Sequence, residues 1–313
     1  FMYSLTNDVS FIRKNILSTQ TGKKFYELLQ NYEEIFLYGA GERGDRIVKL
    51  FPEIRWGGYI DKNKTGELNG LSIISIEEFC NKKEVPVLIT ILNGYKEAEN
   101  DLIKMGFEDR NIITLERWND KASSERYFEE RCISVKDCAG CFIDGGSYDG
   151  EDTIKIVNIR NKPCEVYIFE PDTEQIKYCQ DKLKVYQKNH SLFFYEAGLS
   201  DKQQNHHFMK GKNGLSCISE QGQDVITTLT IDDVCKDKKV AFIKLDVEGF
   251  EEKALQGAKK IIEEQKPLLA ISIYHKRADI YEIPKQILSY NSSYKFTIGH
   301  YSIGQVDTVI YAF

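Results

Sequence analysis

The sequence lacks long apolar runs and has no excess of basic charge. No stretch approaches the roughly 18 uninterrupted apolar residues that a membrane-spanning helix needs. The N-terminus, with Asp8, Arg13 and Lys14, has no apolar region typical of a signal peptide. We therefore expect a cytoplasmic protein without a membrane span. The 42 Lys and Arg against 48 Asp and Glu give a net charge of −6, which disfavours a nucleic-acid partner.

Proline is also scarce, at 6 of 313 residues, whereas hydrophobic residues make up 42% and charged residues 29%. This composition is typical of globular proteins and excludes collagenous and largely disordered chains. The 8 cysteines are scattered, and the one close cluster, Cys138 and Cys141 with Cys132 upstream, has no second pair at zinc-binding spacing. We therefore expect reduced thiols, and the length favours two domains.

A first strand–turn–helix pattern lies in the N-terminal third. The apolar run Ile35–Tyr38 predicts a strand, and Gly39, Gly41 and Gly44 follow it at the start of a segment with helical spacing. Glycines at such positions permit a tight turn and let a phosphate approach the helix N-terminus. Asp61, which ends the next strand, could accept ribose hydroxyls. These four residues are a candidate second nucleotide site, and the alternative is a structural turn without a ligand.

The segment Gly58–Gly70 is similar to the start of small Rossmann-like domains attached to sugar-modifying enzymes. That resemblance implies a sugar-nucleotide context without naming a ligand. We predict that residues 1–120 form an N-terminal helix plus a small Rossmann-like α/β domain, and that residues 121–313 form a second domain.

A second strand and glycine loop begin at Cys141–Ile143, and their chemistry differs from the first. The strand ends in Asp144, the loop that follows reads D-G-G-x-x-x-G, and the next strand ends in Glu170. A carboxylate at this place would repel a pyrophosphate but would attract the ammonium of an aminoacyl group. S-adenosylmethionine offers that ammonium, a ribose and an adenine, and no phosphate. We therefore expect its ammonium near Asp144, its closest backbone approach at Gly146 and its ribose hydroxyls on Glu170.

Further strands complete the predicted sheet. Phe193–Asp201 predicts a third strand and its turn, with Ala197 and Gly198 beside the adenine pocket, and Ala241–Leu245 predicts a fourth strand that ends in Asp246. The first and fourth strands of a doubly wound sheet flank the topological switch point. Asp246 and the carboxylate that ends the first strand should therefore open onto one crevice.

The C-terminal segments Tyr294–Tyr301 and Thr308–Phe313 predict two strands whose connection is too short for a parallel crossover. The predicted fold class is thus α/β with two Rossmann-like units. The C-terminal unit is a class I methyltransferase fold, with a mostly parallel seven-stranded sheet that ends in an antiparallel hairpin.

The second half of the chain resembles the FkbM family of S-adenosylmethionine-dependent methyltransferases. The resemblance covers about residues 121–313 and rests on five motifs in order: Phe142–Thr153, Phe169–Pro171, Thr228–Asp233, Ile243–Glu251 with Leu255–Ala258, and Tyr274–Lys276 with Asp279 and Ile283–Pro284. It implies methyl transfer to oxygen, commonly to a hydroxyl on a sugar, glycan or related metabolite. Tyr148 is a departure, because many members carry Asn there.

On these grounds the cofactor, S-adenosyl-L-methionine, is expected to bind at Asp144, Gly145, Gly146, Ser147, Tyr148, Gly150, Thr153, Glu170, Pro171, Ala197 and Gly198. Asp246 is the first choice to position or deprotonate the acceptor hydroxyl, His275 is the alternative base, and Glu248 is a supporting acceptor. The ordinary histidine pKa near 6.5 suits base work. Asp246 and Glu248 alone do not complete a ligand set, so we expect no metal.

Two alternatives of other classes remain open for the first domain. The chain could be a sugar-nucleotide-binding protein, or a nicotinamide-dependent sugar-processing protein that uses the Gly39–Gly44 turn. The expected partners are a small-molecule or glycan acceptor and, in a homo-oligomer, a second copy of the chain.

Overall fold

The computed structural model describes residues 9–128, 134–211, 216–304 and 306–313, and Cys132 lies outside them. The chain divides into two compact units. The first comprises the described residues up to Glu125 and the segment His300–Asp307, and the second comprises Arg126–Gly299 and Thr308–Phe313. The cysteines in the described ranges are free thiols. Among the same residues, no helix is both long and apolar enough to cross a bilayer.

The first unit alternates strands with helices. Its helices are α1 Val9–Ser18, α2 Gln20–Gln30, α3 Glu42–Leu50, α4 Ile76–Phe79, α5 Tyr95–Lys104 and α6 Leu115–Glu125. Its strands are β1 Ile35–Tyr38, β2 Trp56–Ile60, β3 Gly66–Leu68, β4 Leu71–Ile74, β5 Val87–Ile89 and β6 Ile112–Thr114.

These six strands form one sheet in the order β3-β4-β2-β1-β5-β6. The pairs are parallel except for β3 with β4, which is antiparallel. All four residues of β1 are buried because both faces of the sheet are covered. Alternate side chains enter different cores: Leu37 packs in one apolar cluster and Phe36 in the other.

The second unit begins after α6 with a central strand. Its strands are β7 Cys141–Gly145, β8 Glu165–Phe169, β9 Ser191–Tyr195, β10 Gly198–Leu199, β11 Gln204–Met209, β12 Cys217–Ile218, β13 Asp224–Leu229, β14 Val240–Leu245, β15 Leu268–Ser272, β16 Phe296–His300 and β17 Thr308–Ala312. Its helices are α7 Glu151–Arg160, α8 Thr173–Leu183, α9 Ile231–Val234, α10 Glu251–Gln256, α11 Lys259–Gln265 and α12 Asp279–Tyr290.

The large sheet of this unit has seven strands in the order β16-β17-β15-β14-β7-β8-β9. The five strands from β15 to β9 pair in parallel, and β17 runs antiparallel to β15. This confirms the predicted fold class, a mostly parallel seven-stranded sheet ending in an antiparallel hairpin. Because β7 and β14 are neighbours and their connections leave in opposite directions, the switch point lies between them.

A small second sheet, β10-β13-β11-β12, follows the third strand. One strand and its turn are predicted through Phe193–Asp201, but the strand in the large sheet ends at Tyr195, and Gly198 pairs instead with Thr228 of β13. The polar composition of β11, with adjacent histidines and amides, hid this sheet because it lacks a clear alternation of apolar residues.

Candidate active site

The loop after β7 lies directly against the end of β14. Gly146 has a φ of +74°, and a Cβ added to it would lie 1.9 Å from the carbonyl oxygen of Asp246. No other residue type fits there without moving backbone. The glycine loop and the first residue after β14 therefore form one edge, as the switch-point argument predicts.

Asp144 is fully buried beneath this edge rather than open to it. One carboxylate oxygen accepts a hydrogen bond from the Lys244 ammonium at 3.0 Å, and the other accepts one from the Thr153 hydroxyl at 2.6 Å. The two charged residues are paired in the register of β7 and β14. The expectation that Asp144 faces the crevice needs correction, because both oxygens are held inside the protein.

Lys244 fastens the glycine loop from below. Its ammonium donates to the carbonyl of Gly146 at 2.7 Å and lies 3.4 Å from a carboxylate oxygen of Asp152. Burial opposes the charged form of this lysine, yet the carboxylates of Asp144 and Asp152 raise its pKa above the ordinary value. Lys244 is not among the predicted site residues, although a lysine inside the apolar run of β14 indicates a buried acidic partner.

Glu170 is held at the end of β8 by backbone donors. Its two carboxylate oxygens accept N–H bonds from Tyr148 at 3.0 Å and from Asp172 at 2.9 Å. Burial raises the pKa of Glu170, and the two N–H donors act in the opposite direction. Tyr148 itself has a left-handed φ of +49° and an exposed ring. The acid is thus fixed in direction before any ligand binds.

The other residues predicted to bind the cofactor lie around the same strand ends. Gly145 ends β7, Thr153 lies in the first turn of α7, and Pro171 follows Glu170. Ser147 is buried, and Gly150 precedes α7 with a Cβ position 2.8 Å from the Cys179 sulfur. Ala197 and Gly198 come just after β9, at the carboxyl edge of the third strand.

Asp246 is fixed by a ring of polar side chains. The Tyr274 hydroxyl donates to its Oδ1 at 3.0 Å, and a guanidinium nitrogen of Arg126 lies 3.9 Å from its Oδ2. Burial raises the pKa of Asp246, but the cations of Arg126 and Lys244 outweigh it and bring the pKa to about 2. Such a carboxylate is ionised at neutral pH and is a weak base, which favours positioning over proton removal. Arg126 is not among the predicted site residues.

His275 lies among three carboxylates. Its Nδ1 is 2.9 Å from Glu251 Oε1, and its Nε2 is 3.3 Å from Glu248 Oε2 and 3.7 Å from Asp246 Oδ1. Burial lowers the pKa of His275, but the carboxylates of Glu248 and Glu251 raise it to about 10. The expectation of a base with an ordinary pKa is therefore corrected, since the imidazole already carries a proton at neutral pH. Glu251, which ends the motif Ile243–Glu251, is not among the predicted site residues.

In the first unit the glycine turn is closed by Asp61. The Asp61 carboxylate accepts the N–H groups of Ala40, Asn63 and Lys64 at 2.9–3.1 Å. Gly44 packs closely, because its added Cβ would lie 2.5 Å from the carbonyl oxygen of Gly39. These contacts explain the spacing of the motif by backbone packing alone. At Gly41 an added Cβ would meet nothing within 4 Å, so that position is open.

A surface cleft of about 640 Å³ in the second unit lies away from these residues. It is lined by residues at the amino ends of strands, among them Cys141, Ser191 and Lys239. Ligands of open α/β sheets bind at the carboxyl ends instead. The crevice between β7 and β14 is therefore the better candidate, and its ionised carboxylates suit a cationic ligand.

The strand order and the carboxylates at the carboxyl ends of β7, β8 and β14 define a class I methyltransferase fold. Residues 144–298, which lie within the second unit, match the family model described as the methyltransferase FkbM domain, in agreement with the family that the five motifs resemble. This family depends on S-adenosylmethionine, which confirms the predicted cofactor.

Two solved structures illustrate the similarity. A methyltransferase FkbM from Methylobacillus flagellatus KT is 18% identical, with 98% of this chain and 99% of that chain covered and a TM-score of 0.55. A fibrillarin from Aeropyrum pernix, solved with natively bound S-adenosyl-L-methionine, is 11% identical, with 62% and 73% covered and a TM-score of 0.40. No curated protein matches the chain in a sequence search.

Proposed function

We propose that the second unit transfers the methyl group of S-adenosylmethionine to a hydroxyl oxygen of a sugar, glycan or related metabolite in the cytoplasm. The supporting observation is the close approach of the glycine loop to Asp246, whose carboxylate is fixed by Tyr274 at 3.0 Å. This places a hydrogen-bond acceptor for a hydroxyl beside the loop expected to hold the cofactor. Methylation of oxygen rather than nitrogen is part of the proposal.

The residues at the ends of β7 and β8 would hold the cofactor. The Glu170 carboxylate, directed by the N–H groups of Tyr148 and Asp172, would accept the ribose hydroxyls. The loop Gly145–Gly150 would provide the close backbone approach, and Ala197 with Gly198 would border the adenine. When bound, the cofactor supplies an activated methyl group on a sulfonium. The enclosed Asp144 would contribute indirectly, because it holds Lys244, whose ammonium donates to the Gly146 carbonyl of the loop.

Asp246 would orient the acceptor. A carboxylate oxygen that accepts a hydrogen bond from the acceptor hydroxyl directs a lone pair of the hydroxyl oxygen toward the methyl group, and alignment of this kind is a large part of the rate gain in transfer reactions. The hydrogen bond from Tyr274 and the nearby guanidinium of Arg126 keep the carboxylate in one orientation. Glu248, 3.3 Å from the His275 ring, is the supporting acceptor.

Calorimetric titration with S-adenosylhomocysteine, followed by a labelled-methyl assay on a panel of sugars, glycans and small alcohols, tests the proposal. We expect Asp246→Asn to keep affinity for S-adenosylhomocysteine and to lose at least roughly 100-fold in turnover. Asp237→Asn, at an exposed position of the same unit, is the control. No binding of S-adenosylhomocysteine by the wild type, or full turnover by Asp246→Asn, would contradict it.

For the first unit, the nucleotide site at Gly39, Gly41, Gly44 and Asp61 stays a proposal. The open position at Gly41, where α3 begins without a side-chain cap, supports it. Asp61 is a weaker candidate for ribose, because both its oxygens accept backbone N–H groups. A thermal-shift screen of sugar nucleotides and nicotinamide cofactors, repeated on Gly41→Val, tests it: a shift that survives the substitution would argue against this turn.

A further inference from the structure

Three carboxylates and one imidazole meet where the chain leaves β14 and β15. Asp246, Glu251 and His275 each offer one ligand atom, and these atoms all lie within 4.8 Å of one another. Glu248 adds a third carboxylate, 3.3 Å from His275 Nε2. Asp246 and Glu248 alone are too few ligands for a cation. Glu251 in α10 and His275, in the segment between β15 and α12, supply the others.

The spacing of these atoms is close to that of ligands around one ion. An imidazole binds a given ion through one nitrogen, and one nitrogen of His275 lies within 4.8 Å of a carboxylate oxygen of Asp246 and of Glu251. Two ligands bound at about 2.1 Å from a metal are about 3.0 Å apart at a right angle and about 3.4 Å apart at a tetrahedral angle. Small side-chain adjustments would therefore bring the three groups onto a common centre.

A second observation comes from the imidazole itself. The side chain of His275 is only 10% exposed, and within the described ranges neither ring nitrogen makes a hydrogen bond of acceptable geometry. Buried polar atoms are normally hydrogen-bonded, so an imidazole left in this state points to a missing partner. The ring nitrogens lie within ion-pair distance of the carboxylates, but the angles are not those of a hydrogen bond.

The carboxylates are in turn held by groups behind them. Glu251 is 1% exposed, and its Oε1 accepts the N–H of Val247 at 2.9 Å, while the Tyr274 hydroxyl donates to Asp246. Outer hydrogen bonds of this type orient metal ligands. Glu248, which lies between Asp246 and Glu251 in the sequence, has a left-handed φ of +52°, a strained conformation that often marks functional sites.

We propose that Asp246, Glu251 and His275 bind one divalent transition-metal cation. Two carboxylates with one imidazole suit Mn²⁺ or Zn²⁺ better than Mg²⁺ or Ca²⁺, which prefer oxygen ligands throughout. The inference rests on the proposed function, because Asp246 is the residue that would receive the acceptor hydroxyl. A cation there would bind that oxygen and ease the loss of its proton. The substrate class it favours is an acceptor with two neighbouring hydroxyls that can chelate.

The test is a Mn²⁺ titration of the chelator-treated full chain, followed by electron paramagnetic resonance of the free ion. We expect one ion per chain for the wild type, and affinity more than about 100-fold weaker for Glu251→Gln, beyond the loss usual for residues that only orient ligands. Glu252→Gln, the exposed neighbour in α10, is the matched control and should bind as the wild type. His275→Asn is the second variant in case the buried Glu251 change prevents folding.

The titration with S-adenosylhomocysteine, repeated in chelator, separates this proposal from the proposed function. If the wild type binds S-adenosylhomocysteine but neither Mn²⁺ nor Zn²⁺, the metal proposal fails alone, and the imidazolium of His275 is what neutralises the carboxylates. Equal losses in Glu251→Gln and Glu252→Gln would also overturn it. Absence of S-adenosylhomocysteine binding overturns the proposed function, while specific loss of Mn²⁺ binding in Glu251→Gln would still establish the metal site.

Discussion

Replacing Lys244 by methionine removes one partner of the buried ion pair and keeps most of the apolar stem. The ammonium lies 3.0 Å from Asp144, and the two side chains are 1% and 0% exposed. Losing one member of such a pair leaves a buried charge and costs about 3–5 kcal/mol. At roughly 2–4 °C per kcal/mol for a unit of this size, we expect the second unit to melt about 6–20 °C lower.

The readout must distinguish the two units. Both tryptophans, Trp56 and Trp118, lie in the first unit, so their fluorescence follows that unit, whereas far-UV circular dichroism follows both. We expect Lys244→Met to lower the circular-dichroism transition much more than the fluorescence transition. Lys238→Met is the control, because Lys238 pairs with Glu165 at 2.8 Å at the surface and its loss should hardly change either transition.

A double variant supplies the refutation. Adding Asp144→Asn to Lys244→Met removes the carboxylate that has lost its partner. The free energy of unfolding of the double variant should therefore fall by less than the sum of the two single losses, with a difference of more than about 1 kcal/mol. A loss below about 1 kcal/mol for Lys244→Met, or strict additivity in the double variant, would show that the pair does not hold the loop. Affinity for S-adenosylhomocysteine should fall with Lys244→Met, since Gly146 loses its donor.

Three further changes follow from the same structure. Gly146→Ala should abolish S-adenosylhomocysteine binding in calorimetry, because its Cβ would lie 1.9 Å from the Asp246 carbonyl oxygen; unchanged affinity would refute the close approach. Tyr148→Asn should raise the melting temperature, with a gain of about 1 kcal/mol from relieved left-handed strain at an exposed ring; a fall would mean that the ring packs. Arg13, hydrogen-bonded to Glu53, lowers the pKa of that carboxyl from 4.5 to about 2. The stabilisation from the ionised Glu53 carboxylate is present above pH 4.5 and is lost as the pH falls toward 2. Between pH 5 and pH 3 the free energy of unfolding, measured by urea titration, should therefore fall less for Glu53→Gln than for the wild type.

The central strands and their polar ends were predictable because β7, β8 and β14 are short apolar runs that are each closed by an acid. Asp144, Glu170 and Asp246 end β7, β8 and β14 in the order that the doubly wound topology requires. That pattern is local in sequence, so it can be recognised without knowing how the strands pack. The five motifs then point to the family independently.

What could not be predicted depends on pairing between distant segments. Asp144 follows an apolar run and looks free, and only the register of β7 with β14 shows that Lys244 faces it. Asp61 has the spacing of a ribose acceptor, yet its oxygens close the turn that precedes it. In both cases the presence of an acid at the strand end indicated a polar contact, but the tertiary structure determines which group the acid contacts. The raised pKa of His275 likewise depends on Glu251 in a different element.

The acids of the second unit therefore have two separate purposes. Lys244 compensates Asp144 inside the protein, so that pair contributes rigidity and little field outside. Glu170 is held by neutral donors, the backbone N–H groups of Tyr148 and Asp172, which direct a carboxylate without cancelling its charge. Fixed, uncancelled charge stabilises a cation best because nothing has to reorganise when the cation arrives. The end of β8 would therefore attract a sulfonium, while the ion pair of Asp144 with Lys244 keeps the adjoining loop rigid.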